Sequence, residues 1–274
     1  MTTTGGLRVI HPDAWGPDLG IVDGGTWREI VGPTSQARCR SLYQLDLRAY
    51  SRSRVLMHPG ESVYYVIAGA PSVTEHRADR LPRTHTLGEG AMVHVRPGSA
   101  YSWASTGDAQ VVGGPSPVDA CLGATVVPAA PDWREGVRLF HRDRPGLLVP
   151  FISADARLVV WLGEGAVTAN MNYVVLQPGE RNREHVHIES EDTIHVLSGH
   201  GTAENVTNGE ALPFGPGDTI HIDIGIWHAI AADRGETVIS VGGPCPADTN
   251  MLRAAGVDVE AISAAAGRAD RGPR

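Results

Sequence analysis

The first half of this chain returns in the second. Laid over the second half at one constant offset, Tyr43 falls on Tyr173, Glu61 on Glu191, Val66 on Val196 and Gly69 on Gly199. At a slightly shorter offset Gly90 falls on Gly217 and Tyr101 on His228. Ordered matches through two separate stretches mark two copies of one structural plan, so whatever fold is chosen must be built twice within 274 residues. The triplet Trp27-Arg28-Glu29 also recurs as Trp133-Arg134-Glu135 ahead of the second copy.

Each copy reads as short strands. Residues 41–47 (SLYQLDL), 63–67 (VYYVI) and 91–95 (AMVHV) are β-rich runs separated by turn residues, and the 33 Gly and 19 Pro supply many such turns. Strands at this spacing without intervening helices predict an all-β sandwich or small barrel. The expected organisation is an extended lead-in over residues 1–39 with one or two short edge strands, a first domain over 40–114, and a linker with second lead-in over 115–165. That linker holds Pro115, Pro117, Pro128 and Pro131. A second domain follows over 166–247, then helices and a tail over 248–274. Asp248 is placed to cap a short helix through Met251, Leu252 and Ala255 that stops at Gly256, and Asp258 to cap another through Ile262 to Gly267.

Composition narrows the function. A hydrophobic content of 42% with 20% charged residues is that of a soluble globular protein. A net charge of −8 without basic clusters argues against nucleic acid as a partner. No apolar run approaches the ~18 residues of a membrane span, and the opening residues lack a signal peptide's charged and apolar regions. A cytoplasmic protein with a small-molecule partner is expected. Cys39, Cys121 and Cys245 are odd in number and widely spaced, which suggests buried small side chains rather than a disulfide framework or thiolate metal site.

The stretch 183–199 (REHVHIESEDTIHVLSG) carries the chemistry. His185 and His187 alternate along an expected strand, so both imidazoles leave one face. An acid follows: Asp192 is favoured on register, with Glu191 and Glu189 as alternatives, because a one-residue slip turns a side chain to the opposite face. Residues 215–228 (GPGDTIHIDIGIWH) end on His228, which could join the group from another strand.

These two motifs, His-x-His with an acid and Gly199, then a Pro-Gly-Asp turn and His, resemble those of the cupin superfamily. The pairing of two copies is similar to its two-domain members, the bicupins. The resemblance covers roughly residues 40–112 and 170–244. It implies two tandem double-stranded β-helix (jelly-roll) barrels, with one metal held by His185, His187, Asp192 and His228. Such a nitrogen and oxygen donor set suits one divalent transition metal (Fe, Mn, Ni, Co or Zn), with Fe favoured, and leaves positions open for substrate. Bicupins commonly pair, so a homodimer is expected. Architecture is also similar to that of ureidoglycine aminohydrolases, whose usual Glu, His, His and Gln ligands differ from the set here.

At the positions read as equivalent, the first copy carries Val55, Met57, Ser62 and Tyr101, so the first domain is expected to be metal-free. His58 beside them reads as a turn or surface residue. Arg183 shares strand parity with His185 and His187 and could bind a substrate carboxylate, or be a solvated residue at the barrel mouth. His195 and His221 could orient a ligand, or be satisfied strand histidines. His200 is expected at the surface, and Trp227 and Tyr173 in packing roles.

The functional expectation is a metalloenzyme acting on a small polar, carboxylate-bearing metabolite, with dioxygenase chemistry ahead of non-redox hydrolysis, isomerisation or decarboxylation. A binding cupin without turnover is the third reading.

Overall fold

The β-rich runs become strands where the sequence puts them: 63–67 lie in Glu61–Ala68, 91–95 form Ala91–Val95, and 41–47 fall within Leu42–Ser53. The computed structural model describes residues 6–119 and 135–269. Cys121, Pro128, Pro131, Trp133, Arg134 and the last five residues of the expected tail lie outside the described residues. Two units form, one from Ala14–Arg144 and one from Met1–Asp13 together with Pro145–Arg274. Among the described residues no helix is long and apolar enough to cross a membrane.

In the Ala14–Arg144 unit the strands form one antiparallel ten-stranded sheet among the described residues. Its order runs Val137–His141, Ala91–Val95, Glu61–Ala68, Ala109–Ser116, Leu42–Ser53, Ala100–Ser105, Ser72–His76 and Arg83–Thr86, with Val22–Val31 and Leu56–Met57 paired off this path. The other unit has a seven-stranded sheet in which Leu7–Ile10 is one edge and Thr219–Ile222, Glu191–Ser198, Val238–Cys245 and Met171–Leu176 follow. A three-stranded sheet, Glu210–Phe214, Gly201–Asn205 and His228–Ala232, accompanies it. Leu176, Val196, Ala203, Phe214, Ile220 and Ile230 share one core there. Gly69 and Gly199 sit at φ 80° and 82° after equivalent strands, and a Cβ at either would run into the facing backbone.

The boundaries differ from the sequence expectation. Leu7–Ile10 is not a lead-in to the first unit: it pairs with Thr219–Ile222 and buries Leu7 in the core of the second. Val137–His141, expected in the linker, pairs with Ala91–Val95 of the first unit. Val22–Val31 is a ten-residue strand, longer than the short edge strands expected in the lead-in. Hydrogen-bonding partners more than 200 residues apart leave no local pattern to read. The C-terminal helices do follow their caps. Asp248 Oδ1 accepts from the Asn250 and Met251 N–H groups to start Thr249–Ala254, and Asp258 accepts from the Ala261 N–H in Val259–Ala269.

Strand pairing fixes which positions of the two copies correspond. Tyr43 and Tyr64 both pair with Gly113, as Asn172 and Ile194 both pair with Gly242. Trp27 pairs with Leu45 as Ala156 pairs with Val174, and Trp103 pairs with Val73 as Ile230 pairs with Ala203. Leu56 faces Tyr101 as His185 faces His228. The first barrel is thus filled by Trp27, Tyr43, Tyr64, Tyr101 and Trp103, all buried in one cluster. Ala156, Asn172, Ile194, His228 and Ile230 stand at those places in the second.

This pairing also corrects the earlier alignment by one residue. Leu56 and His58, not Val55 and Met57, occupy the places of His185 and His187; the His58 carbonyl accepts from Gly98 N–H as the His187 carbonyl accepts from Gly225 N–H, both at 2.8 Å. Likewise Tyr43 corresponds to Asn172 rather than Tyr173. His58 is buried, not a surface residue, and its Nδ1 lies 2.9 Å from Asp119 Oδ2. Cys245 is buried as expected, whereas Cys39 is partly exposed.

Because Leu7 is buried in the second unit's core, Leu7→Ala should destabilise that unit by roughly 2–5 kcal/mol. Denaturant unfolding followed by exchange of Ile220 and Ile222 amides, which lie in the strand beside Leu7, checks this; unchanged protection there would show that the edge strand contributes nothing.

Candidate metal centre

Two facing backbone hydrogen bonds hold the centre of the site. The His185 N–H donates to the His228 carbonyl at 3.1 Å, and the His228 N–H donates back at 2.9 Å. His187 follows two residues on, with the same parity. Asp192 is the second residue of the strand Glu191–Ser198 and pairs with Ile222, a core residue, so its carboxylate also points inward. One donor atom from each of His185, His187, Asp192 and His228 lies within 4.8 Å of all the others. Asp192 Oδ2 is 3.6 Å from His187 Nε2 and 3.8 Å from His228 Nε2.

The far side of each ring is anchored. His185 Nδ1 is 2.9 Å from the Arg183 carbonyl, His228 Nδ1 is 2.9 Å from the Ile226 carbonyl, and His187 Nδ1 is 2.5 Å from Asp248 Oδ2. A carbonyl or carboxylate oxygen only accepts, so each Nδ1 carries the proton and donates. Every Nε2 is thereby turned toward the common centre, where its lone pair can bind a cation once any proton on it has left. His187 Nε2, His228 Nε2 and Asp192 Oδ1 are buried without a hydrogen-bond partner. Orphaned buried groups of this kind are costly, and a divalent cation at their centre would satisfy them together. The donor set therefore fits the metal that its spacing suggested.

Electrostatics point the same way. Burial alone would lower the His187 pKa, but the Asp192 and Asp248 carboxylates on either side of the ring overcome it and push it up to about 9. Burial alone would raise Asp192, yet the nearby His187 ring and the other two imidazoles draw it down to about 2. Burial and then the neighbouring His185 push His228 down to about 4, and burial followed by His187 lowers His185. One carboxylate among three imidazoles of which only one is charged is a site ready to exchange a proton for a cation.

The donors open on a cavity with about 530 Å³ of empty space, counting its mouth. His185, His187 and Asp192 line it together with Asn172, Asn182 and Ser240, and apolar side chains make up the rest. Three residues singled out from the sequence do not reach it. Arg183 is exposed and absent from the cavity wall, so strand parity alone did not carry its side chain inward. His195 and His221 pair with Thr219 and Thr193 across one sheet, on the face opposite Asp192. Burial lowers His195 to about 4 and keeps it neutral.

Glu191 shares that opposite face, where it lies within metal-binding distance of His221 and Asp223. Asp223 is already held by Arg8 at 2.6 Å and the Gly6 N–H at 2.7 Å. The first unit repeats the buried pair as Glu61 and His94, 3.3 Å apart, so a buried Glu–His pair belongs to the shared architecture. Glu189 is exposed. His200 is exposed and paired with Glu236, Trp227 is half-exposed, and Tyr173 packs under the Arg157 guanidinium.

Residues 172–241 match the family model described as cupin domain. Among solved structures, a deletion mutant of Bacillus subtilis oxalate decarboxylase superposes with a TM-score of 0.67 at 13% identity, over 90% of this chain and 78% of that one. A structure of the same enzyme studied for its Mn(II) centres gives 0.65 at 12% identity with the same coverage. No curated protein matches the chain. The chain has a bicupin architecture.

In this chain the residue that sequence reasoning placed too modestly is Asp248. It was read only as a helix cap, which it is, but its second carboxylate oxygen anchors His187. The signal was present in the repeat: Asp119 stands in the same relation to His58. Asp248→Asn, which can still cap the helix, should weaken divalent metal binding about 10–100-fold, as read by competition with a chromophoric chelator. Unchanged affinity would reduce Asp248 to a cap.

The raised His187 value sets a pH dependence. In the metal-free bicupin its pairing with the carboxylates stabilises the fold fully below the ordinary 6.5 and is lost as pH rises through about 9. Metal must displace that proton, so near pH 7 uptake should release about one proton and affinity should climb with pH toward 9. Calorimetry in buffers of differing ionisation enthalpy measures the count; zero protons released would contradict the assignment.

Proposed function

We propose that this bicupin is a metal-dependent enzyme whose second barrel binds a small oxygen-bearing metabolite at a three-histidine, one-aspartate centre, and that its reaction is a dioxygenation. The observation that carries the metal reading is the set of three Nδ1 anchors, which turn every Nε2 inward beside the Asp192 carboxylate. A divalent ion bound there would act as Lewis acid and as the site of electron exchange with dioxygen.

The chain's own groups favour oxidative over acid–base chemistry. His185, His187 and Asp192 are the titratable residues in the cavity wall, and all are committed to the donor set. Hydrolysis or isomerisation is assisted by a protein group free to take and return a proton, and the described wall offers none outside the donor set. Asn172, Asn182 and Ser240 can orient a substrate by hydrogen bonds, while the apolar remainder limits water. Asn182 is itself held, its Oδ1 accepting from the Ile230 N–H at 2.8 Å.

A second reading is supported by the likeness to oxalate decarboxylase and its Mn(II) centres. Decarboxylation by this chain would proceed without net consumption of dioxygen. Protein reconstituted anaerobically with Fe(II) and given candidate substrates in an oxygen electrode should consume dioxygen in proportion to product. Turnover with Mn(II) or Zn(II) under strict anaerobiosis would favour the second reading, and loss of all turnover in His187→Ala is expected under both.

A further inference from the structure

The cavity exists because the second barrel lacks the first barrel's filling. Ile194 and Ile230 stand where Tyr64 and Trp103 stand in the first unit, and Asn172 stands where Tyr43 stands. All three line the opened space. The remaining wall is chiefly aliphatic: Ile152, Val174, Leu176 and Met251 join the two isoleucines.

Two features of this wall constrain a ligand. The first is charge. No Lys or Arg lines the cavity among the described residues. A divalent ion would meet two carboxylates, Asp192 among the donors and Asp248 on His187, so the centre sums to zero before any ligand enters. One added negative charge can be shared with the metal. A second, set against aliphatic side chains, would be desolvated with nothing to pair it. The second feature is an orphan. Asn172 is buried, and its Oδ1 has no partner, which asks for a hydrogen-bond donor from whatever occupies the space.

We propose that the cavity takes an α-hydroxy monocarboxylate, or a close analogue with one charge and one donor, carrying a branched aliphatic body. The two head oxygens face the metal centre and the body lies against Ile194, Ile230 and Leu176. A dicarboxylate is excluded by the wall. This rests on the metal reading above.

A matched series of probes tests it, because glycolate, 2-hydroxy-4-methylpentanoate and malate share one head and differ only in body. The full chain is loaded with Co(II), and binding is read from the cobalt absorption spectrum. Each buried methylene is worth about four-fold in affinity, so the branched acid should bind at least ~10-fold more tightly than glycolate, and malate more weakly than glycolate. Ile230→Trp, which restores the first barrel's residue, should abolish the branched acid's advantage while cobalt is still bound. Malate or glycolate binding as tightly as the branched acid overturns the inference, as does failure of all three to perturb bound cobalt. Failure to take up cobalt at all, read by elemental analysis, overturns the metal reading instead. If Ile230→Trp does not fold, Asn172→Ala replaces it: loss of affinity for the branched acid, with unchanged affinity for its methyl ether, is expected, and equal loss for both overturns the role of the orphaned oxygen.

Discussion

The interior of a small β-barrel has a volume set by its strands, and whatever the inward side chains leave unfilled is available to a ligand. Both units obey this with the same pairing scheme and opposite outcomes. In the first, Trp27, Tyr43, Tyr64, Tyr101 and Trp103 meet at ring separations such as the 5.2 Å between Tyr64 and Trp103, and bury a large area each. In the second, smaller residues at the same places leave a cavity beside the candidate metal donors. The two units differ most at the inward positions of a strand scaffold whose central pairings recur in both.

What the smaller residues open, the outer anchors make usable. A histidine free to rotate or to change tautomer would be a poor donor, since its Nε2 would face the centre only part of the time. Two backbone carbonyls and Asp248 remove that freedom. The Asp248 anchor also ties the start of the C-terminal helix, where Met251 and Leu252 are buried, to a residue of the metal centre. The same histidine–aspartate contact survives as His58 and Asp119 in the first unit, where Leu56, Ser62 and Tyr101 have replaced the other donors. Its persistence there indicates that the contact holds the chain after the last strand to the barrel whether or not a metal is present.

The sequence by itself determined the repeat, the all-β class, the caps of both helices and the three histidines proposed as donors, with Asp192 favoured over Glu191 as the acid. These are legible because strand parity, turn glycines and motif spacing are local: His185, His187 and Asp192 lie within eight residues, and a register slip would expose their chemistry. Tertiary structure alone decided the rest. Leu7–Ile10 completes a sheet more than 200 residues away, which no periodicity encodes. The one-residue correction that equates His58 with His187 needed the strand pairing, because an offset chosen on one strand need not hold on the next. Arg183, His195 and His221 do not line the cavity, and the alternatives of a solvated arginine and satisfied strand histidines match their surroundings, since which face a strand residue serves depends on what packs against each face. Asp248 had the right place and an understated role, because a carboxylate has two oxygens and sequence shows only the one that caps the helix.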